Sequence, residues 1–239
     1  MSRTRLTVEE IADSATVDLE PILKSSPFKP YAYYKRYDAQ DGITEHFFGL
    51  INKSVRKENN LIIHSEDNKI VGLGLWNFLP WDSARLKFNV QRVKWLIGKG
   101  NYPEQSKIKK KLIEKVIKSA KAEGTDYLFM RVDSSDLSTV HLLEEKGFVL
   151  IDGILTFSLD LSDFAIPEVA LNASYSLLPC GSEDVEQVKD IARNAFIYDR
   201  FHSDPLIPKQ TADELHANWL ENSCKKVAAD EVLIAKENG

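Results

Sequence analysis

Seven residues, Asp199-Arg-Phe-His-Ser-Asp-Pro205, bring together a guanidinium, an aromatic ring, an imidazole and two carboxylates. The planar fork of Arg200 suits a phosphate or a sugar hydroxyl, and the Phe201 ring suits the face of a sugar or base. Arg200, Phe201, His202 and Asp204 are therefore the candidate substrate-binding residues. The same stretch has a plainer use: Asp199, His202 and Asp204 can cap a loop while Phe201 packs inward, because Asp and Pro serve turns well. The residue types fit both readings. His202 with Asp204, and His216 with Asp213, are metal-binding residue types, but zinc asks for three or four ligands at set spacing. No metal is expected. His64 on an alternating strand and His141 on a helix read as ordinary histidines.

Three other groups could do chemistry, and each has a bland use. Lys107, Lys109, Lys110, Lys111, Lys115, Lys118 and Lys121 make one helix strongly basic, which reads as its solvated face. Tyr31, Tyr33, Tyr34 and Tyr37 read as an aromatic lid over the core, since such rings mostly supply buried area. Trp81 reads as packing between domains, with Asp82 capping the adjacent turn. The two cysteines, Cys180 and Cys224, are far apart and lack metal spacing, so free thiols in a reducing cytoplasm are expected.

The elements that would position these residues follow from periodicity. Ile43, Phe47, Leu50, Ile51 and Val55 recur at helical spacing between Ala39 and Asn60. A hairpin follows, from Leu61 through a polar turn to a strand at Lys69 to Phe78, and Val90, Val93 and Trp95 mark a further strand. Ser106 reads as the N-cap of a helix that buries Ile108, Leu112, Ile113, Val116, Ile117 and Ala120 and ends at Gly124. A strand from Asp126 to Val132, a helix from Leu137 to Lys146, and strands over Phe148 to Leu161 broken near Asp152-Gly153 complete the half. A strand, a crossover helix and another strand imply a parallel pair beside an antiparallel hairpin. The expected fold is an α/β mixed sheet with helices on both faces.

Residues 163–174 read as a linker between a domain at 1–162 and a second beginning at 175. The pattern restarts with a strand at Tyr175 to Leu178 and a helix capped by Ser182, with Val185, Val188, Ile191, Ala192, Ala195 and Phe196 inside. A second helix opens on Thr211-Ala-Asp-Glu214 as a capping box and sets Leu215 and Trp219 one turn apart. The last residues, Glu231 to Gly239, read as a strand and an Asn-Gly turn without its return strand, so the second domain is expected to be truncated and its last strand unpaired.

With 239 residues, 43% hydrophobic and 28% charged, the chain can bury a substantial core. Its net charge of −5 gives no footprint for nucleic acid. No apolar stretch follows the N-terminal arginines, and no run is long enough to span a bilayer, so neither a secretory signal nor a membrane partner is expected.

The ordered set from the entry helix to the strand at Asp126, closed by Leu137-Ser-Thr-Val-His-Leu-Leu-Glu-Glu-Lys-Gly-Phe148, resembles a GNAT-type (Gcn5-related) acyl-CoA N-acyltransferase. Pro80-Trp-Asp82, the segment Ala195 to Pro205, and Ala212 to Asn222 resemble the tandem-GNAT proteins of the dTDP-fucosamine acetyltransferase type. The resemblance implies a cytoplasmic N-acetyltransferase that uses acetyl-CoA as co-substrate and a small amine as acceptor, with an amino-sugar nucleotide as the favoured class and homodimers compatible with it. It also implies one complete domain at 1–162 and the start of another at 175–239, with a loop at Asp199 to Pro205 bordering the acceptor pocket. Catalytic residues and the acetyl-CoA site are expected beyond Gly239, which would leave this chain an incomplete and inactive fragment. The family's pyrophosphate motif, Gln/Arg-x-x-Gly-x-Gly/Ala, falls on Gln105, Ile108 and Lys110, which keeps the glutamine and loses both glycines. The first domain therefore reads as degenerate. The alternative is a non-catalytic GNAT-like binding or docking module.

Overall fold

The computed structural model describes residues 6–11, 18–29, 40–55, 57–65, 67–157, 159, 161, 164–165 and 174–237. The chain divides into two compact units, Met1–Val149 and Leu150–Gly239. The expected tyrosine lid, most of residues 163–174, and Asn238 with Gly239 lie outside the described residues.

In the first unit β1 (Thr7–Glu9), β2 (Asn59–His64), β3 (Ile70–Phe78), β4 (Val90–Gly98) and β5 (Tyr127–Met130) form one sheet in that order. Neighbours pair antiparallel up to β4, and β5 lies parallel to β4. The mixed α/β sheet is as expected. The β2–β3 turn is closed by Asn68 in the left-handed region at φ 57°, a conformation Asn tolerates. The alternation of side chains along β2 then divides the core. Leu61 and Ile63 pack with α4 (Tyr102–Ala122) and α5 (Leu137–Glu145) through Ile108, Leu112, Ile113, Leu142 and Leu143. Ile62, on the other face, packs with α1 (Glu20–Ser25) and α2 (Gln40–Val55) through Ile22, Leu23, Phe47 and Ile51. Between β3 and β4 the chain makes α3 (Pro80–Leu86), and Asp82 lies in its first turn rather than at the cap, which is Leu79. The Arg85 guanidinium carbon sits 5.1 Å from the centre of the Trp81 ring.

A bulge and a divergence coincide on β4. Leu75 pairs with Trp95 and Trp76 with Val93, so Lys94 is an extra residue that locally bends the strand. Pairing with β5 reaches Val93↔Met130, while β4 continues to Gly98. Among the described residues, no strand pairs with that edge of β4 beyond the bulge.

Two sequence expectations for this stretch are corrected. The helix begins at Tyr102 with Asn101 as N-cap, because Asn101 and Glu104 complete a reciprocal cap one turn before Ser106. Ser106 instead donates its hydroxyl to Tyr102 O at 2.8 Å. The described residues of 148–161 form no strand, and Leu150, Leu155 and Phe157 are 86%, 83% and 90% exposed. Strand propensity there finds no ladder to join.

The second unit contains β6 (Tyr175–Pro179), α6 (Val185–Ala195), α7 (Arg200–Ser203), α8 (Lys209–Cys224) and β7 (Leu233–Glu237). The expectation of an unpaired last strand fails: β7 runs antiparallel to β6 from Leu233↔Pro179 to Glu237↔Tyr175. Ser182 does not cap α6; it opens a 3₁₀ turn, Ser182–Asp184, that feeds the helix. Nor does Thr211 cap α8, which starts two residues earlier behind Pro208, whose fixed φ favours a helix start. Val188 and Ala192 are buried on α6, but Ile191 and Phe196 are 60% and 47% exposed.

Candidate functional site

Two clusters of polar side chains are assembled by these elements, one in each unit. In the first unit, β4 leads into α4, and the helix start is taken up by the chain's own groups. Asn101 Oδ1 accepts from the Glu104 N–H at 3.2 Å, and Glu104 Oε2 accepts from the Asn101 N–H at 2.9 Å. Pro103 has no N–H to offer an anion. The Glu104 carboxylate stands at the positive end of the helix, the place an external phosphate would otherwise take. Gln105 turns its amide to Gly100 O at 2.8 Å. Ile108 is buried against β3, where a Cβ on Gly72 would come within 2.5 Å of its Cγ2, and Lys110 pairs with Glu145 on the surface. The pyrophosphate motif is thus replaced by a cap, a core residue and a surface ion pair.

Lys109 corrects the reading of α4's lysines as one solvated face. It is 2% exposed, and its ammonium donates to both oxygens of Asp136 and to Ser138 Oγ, each at 2.8 Å. Asp136 caps α5, accepting from the Thr139 N–H at 3.2 Å and the Thr139 hydroxyl at 2.7 Å. Burial pushes the Lys109 ammonium down, and Asp136 offsets this only in part. Burial pushes the Asp136 carboxyl up, but hydrogen bonds from Lys109, Thr139 and Ser138 outweigh it and hold the group below its ordinary value. The other helix lysines are exposed as expected.

In the second unit the candidate residues Arg200, Phe201 and His202 form α7, and Asp204 follows it. Asp199 caps the short helix: its Oδ1 accepts from the Phe201 N–H at 2.8 Å and the His202 N–H at 3.4 Å. Its Oδ2 faces His202 Nδ1 at 2.5 Å and His216 Nε2 at 3.2 Å. His202 Nε2 meets Asp213 Oδ1 at 2.9 Å, and Lys209 pairs with Asp213 from the preceding turn of α8. Burial disfavours the His202 cation, but hydrogen bonds to Asp213 and Asp199 overcome it and raise the imidazole above its usual pKa. Burial acts against the Asp199 anion, and the hydrogen bonds from His202 and the Phe201 N–H hold it low.

Phe201 departs from the expected sugar-covering ring: it is 4% exposed and meets His216 edge-on, with centroids 5.8 Å apart. An apolar ring between helices gains more by burial than by facing solvent. Asp204, also 4% exposed, accepts from the Leu206 N–H at 2.9 Å, the turn role foreseen as the plainer reading. Arg200 is half-buried, with its guanidinium carbon 4.2 Å from the Phe201 ring centre. Sequence reasoning missed a rim beside this cluster: Phe196, Tyr198 and Trp219 are 47%, 92% and 48% exposed. Their signal is present as aromatic residues flanking Asp199 and His216, but the helical pattern places Phe196 inside its helix and sets Trp219 only one turn from Leu215.

Among the described residues, Asp199, His202 and His216 are a group whose ligand atoms all lie within 4.8 Å of one another. His64 pairs with Glu9 at 2.7 Å, and His141 meets the Tyr102 hydroxyl at 2.9 Å, both ordinary contacts. Cys180 and Cys224 are free, as expected, yet their sulfurs lie 3.4 Å apart, and burial with its neighbouring thiol pushes Cys224 up to about 11. No described helix is long and apolar enough to cross a membrane.

No protein-family profile matches the chain. The spore coat polysaccharide biosynthesis protein SpsD of Bacillus subtilis (strain 168) is 26% identical over 177 residues, covering 73% of this chain and 57% of that protein. The chain therefore spans little more than half the length of this curated relative. Similar solved structures include an aminoglycoside acetyltransferase from an uncultured soil metagenomic sample in complex with sisomicin, at 18% identity and TM-score 0.43 over 66% of this chain and 97% of that one. Glucosamine-6-phosphate N-acetyltransferase from Arabidopsis thaliana overlays at 11% identity and TM-score 0.44, covering 65% of this chain and 99% of the other.

Proposed function

We propose that this chain is part of an N-acetyltransferase that moves acetyl from acetyl-CoA to a small amine, with an amino-sugar nucleotide as acceptor. The observation that carries the reading is the first unit's sheet. Four antiparallel strands are followed by a crossover helix and a parallel β5, and β5 leaves β4 where Lys94 bulges. The likeness to a polysaccharide biosynthesis protein supports a sugar acceptor. The start of α4 does not fit a pyrophosphate, so acetyl-CoA is not placed on the first unit, and no acid or base is assigned among these residues.

The acceptor side belongs to the second unit. Arg200 supplies a cation for a diphosphate, while Tyr198, Phe196 and Trp219 offer ring faces to the base or sugar. Titration calorimetry of the 239-residue chain with a thymidine-diphosphate amino sugar tests this. Saturable binding is expected, weakened about 10-fold or more in Arg200→Ala, the loss of a charge-assisted hydrogen bond. Binding that ignores Arg200, or none at all in the parent chain, overturns the reading. A docking module is the second reading, supported by the exposed apolar residues between Val149 and Leu161; a chain that binds no sugar nucleotide would favour it.

A further inference from the structure

We propose that Asp199, His202 and His216 form a binding site for a divalent transition-metal ion. The sequence spacing of these residues hides the site, because Asp199 stands at a helix cap, His202 inside the short α7, and His216 on α8. The turn between the helices brings them together. Zinc bonds to imidazole nitrogen and carboxylate oxygen at about 2.0–2.2 Å, which sets the ligand atoms of a tetrahedral site about 3.3 Å apart. Asp199 Oδ2 lies 2.5 Å from His202 Nδ1 and 3.2 Å from His216 Nε2, and all three ligand atoms fall within 4.8 Å. Adjustments of about 1.5 Å or less would open the set around an ion.

Three independent observations point to an ion rather than to a self-contained network. His216 is 5% exposed, and its Nε2 approaches Asp199 Oδ2 at 3.2 Å without satisfying hydrogen-bond geometry. A buried ring nitrogen left this way is an uncommon cost that coordination would remove. The outer partners of the ligands are already in place: His202 offers its other nitrogen to Asp213 at 2.9 Å, and the Phe201 N–H holds the other oxygen of Asp199 at 2.8 Å. Carboxylate support of this kind orients metal-binding imidazoles and raises their basicity. The walls are apolar, with Phe196 stacked on His216 at 4.4 Å and Phe201 edge-on to it. Two imidazoles and one carboxylate leave a coordination position open to water or to a ligand, and this donor set suits zinc and its divalent neighbours.

The test is calorimetric zinc titration of the chelator-stripped chain, with histidine ring nitrogens followed by NMR. About one zinc per chain is expected, with the ring signals of His202 and His216 shifted and those of His46, His64 and His141 unmoved. Asp199→Asn keeps a good N-cap, so it should fold while binding zinc at least about 10-fold more weakly; Asp213→Asn should lose about 10-fold or more through the outer partner. A Cys180→Ser/Cys224→Ser double variant should bind as the parent does. The proposal fails if the stripped chain takes up no zinc, if Asp199→Asn binds as tightly as the parent, or if the double cysteine variant abolishes binding.

Discussion

Replacing Asp136 by alanine is expected to destabilise the first unit by about 3–5 kcal/mol, the cost of leaving one member of a buried ion pair alone. Lys109 and Asp136 are 2% and 6% exposed, so water cannot solvate the orphaned ammonium in place. The substitution also removes the side-chain cap of α5, which alone is worth about 1 kcal/mol. Urea unfolding followed by tryptophan fluorescence would read the loss. The double variant Lys109→Met/Asp136→Asn should recover much of it, because uncharged replacements of both partners avoid the buried charge and Asn keeps a helix cap. The pH dependence has a definite sign. Hydrogen bonds hold the folded Asp136 below its ordinary 3.8, so its contribution is present above that value and lost as pH falls through the lower folded value. In Asp136→Ala that acid-labile component should be absent.

Replacing Phe201 by alanine is expected to cost the second unit about 3–5 kcal/mol, the usual penalty for emptying a buried aromatic site. The ring fills the space beside His216 and supports the Arg200 guanidinium, so its loss should loosen the cluster as a whole. A ring serving only to cover a sugar would behave differently: its removal would weaken ligand binding and leave the melting curve unchanged. Parallel denaturation and titration of Phe201→Ala separate these roles, and a large stability loss is the predicted result. Arg200→Ala should show the opposite pattern, with a small change in stability and weaker ligand binding.

Legibility in the sequence followed how local the determining physics was. The β2–β3 hairpin and the apolar stripe of α4 were read correctly because periodicity of two and of 3.6 residues reports burial directly. The parallel β4–β5 pair followed from a crossover helix of sufficient length. Helix starts were harder, since Asn101 and Ser106 are both good caps and only the reciprocal bond from Glu104 selects the first. The strand expected at Phe148 to Leu161 had the right residue types, but a strand exists only with a partner, which is a tertiary fact. Lys109 looked like its neighbours because its partner, Asp136, is 27 residues away on another helix start. The site shows the same division. Asp199 as a cap and Asp204 in a turn were foreseen as the plainer use of those residues. The meeting of His202 with His216 needed the path of the chain through α7 into α8.

The sealed start of α4 is the point on which the first unit's role turns. Glu104 holds the cap where an anion would sit, and Ile108 is committed to the core beneath Gly72. Titration calorimetry of the 239-residue chain with acetyl-CoA tests this directly. No saturable heat up to about 1 mM ligand is the predicted result, corresponding to binding weaker than about −4 kcal/mol. A one-to-one isotherm with a micromolar Kd, accompanied by amide shifts from Asn101 to Ser106, would contradict it and return the pyrophosphate site to the first unit.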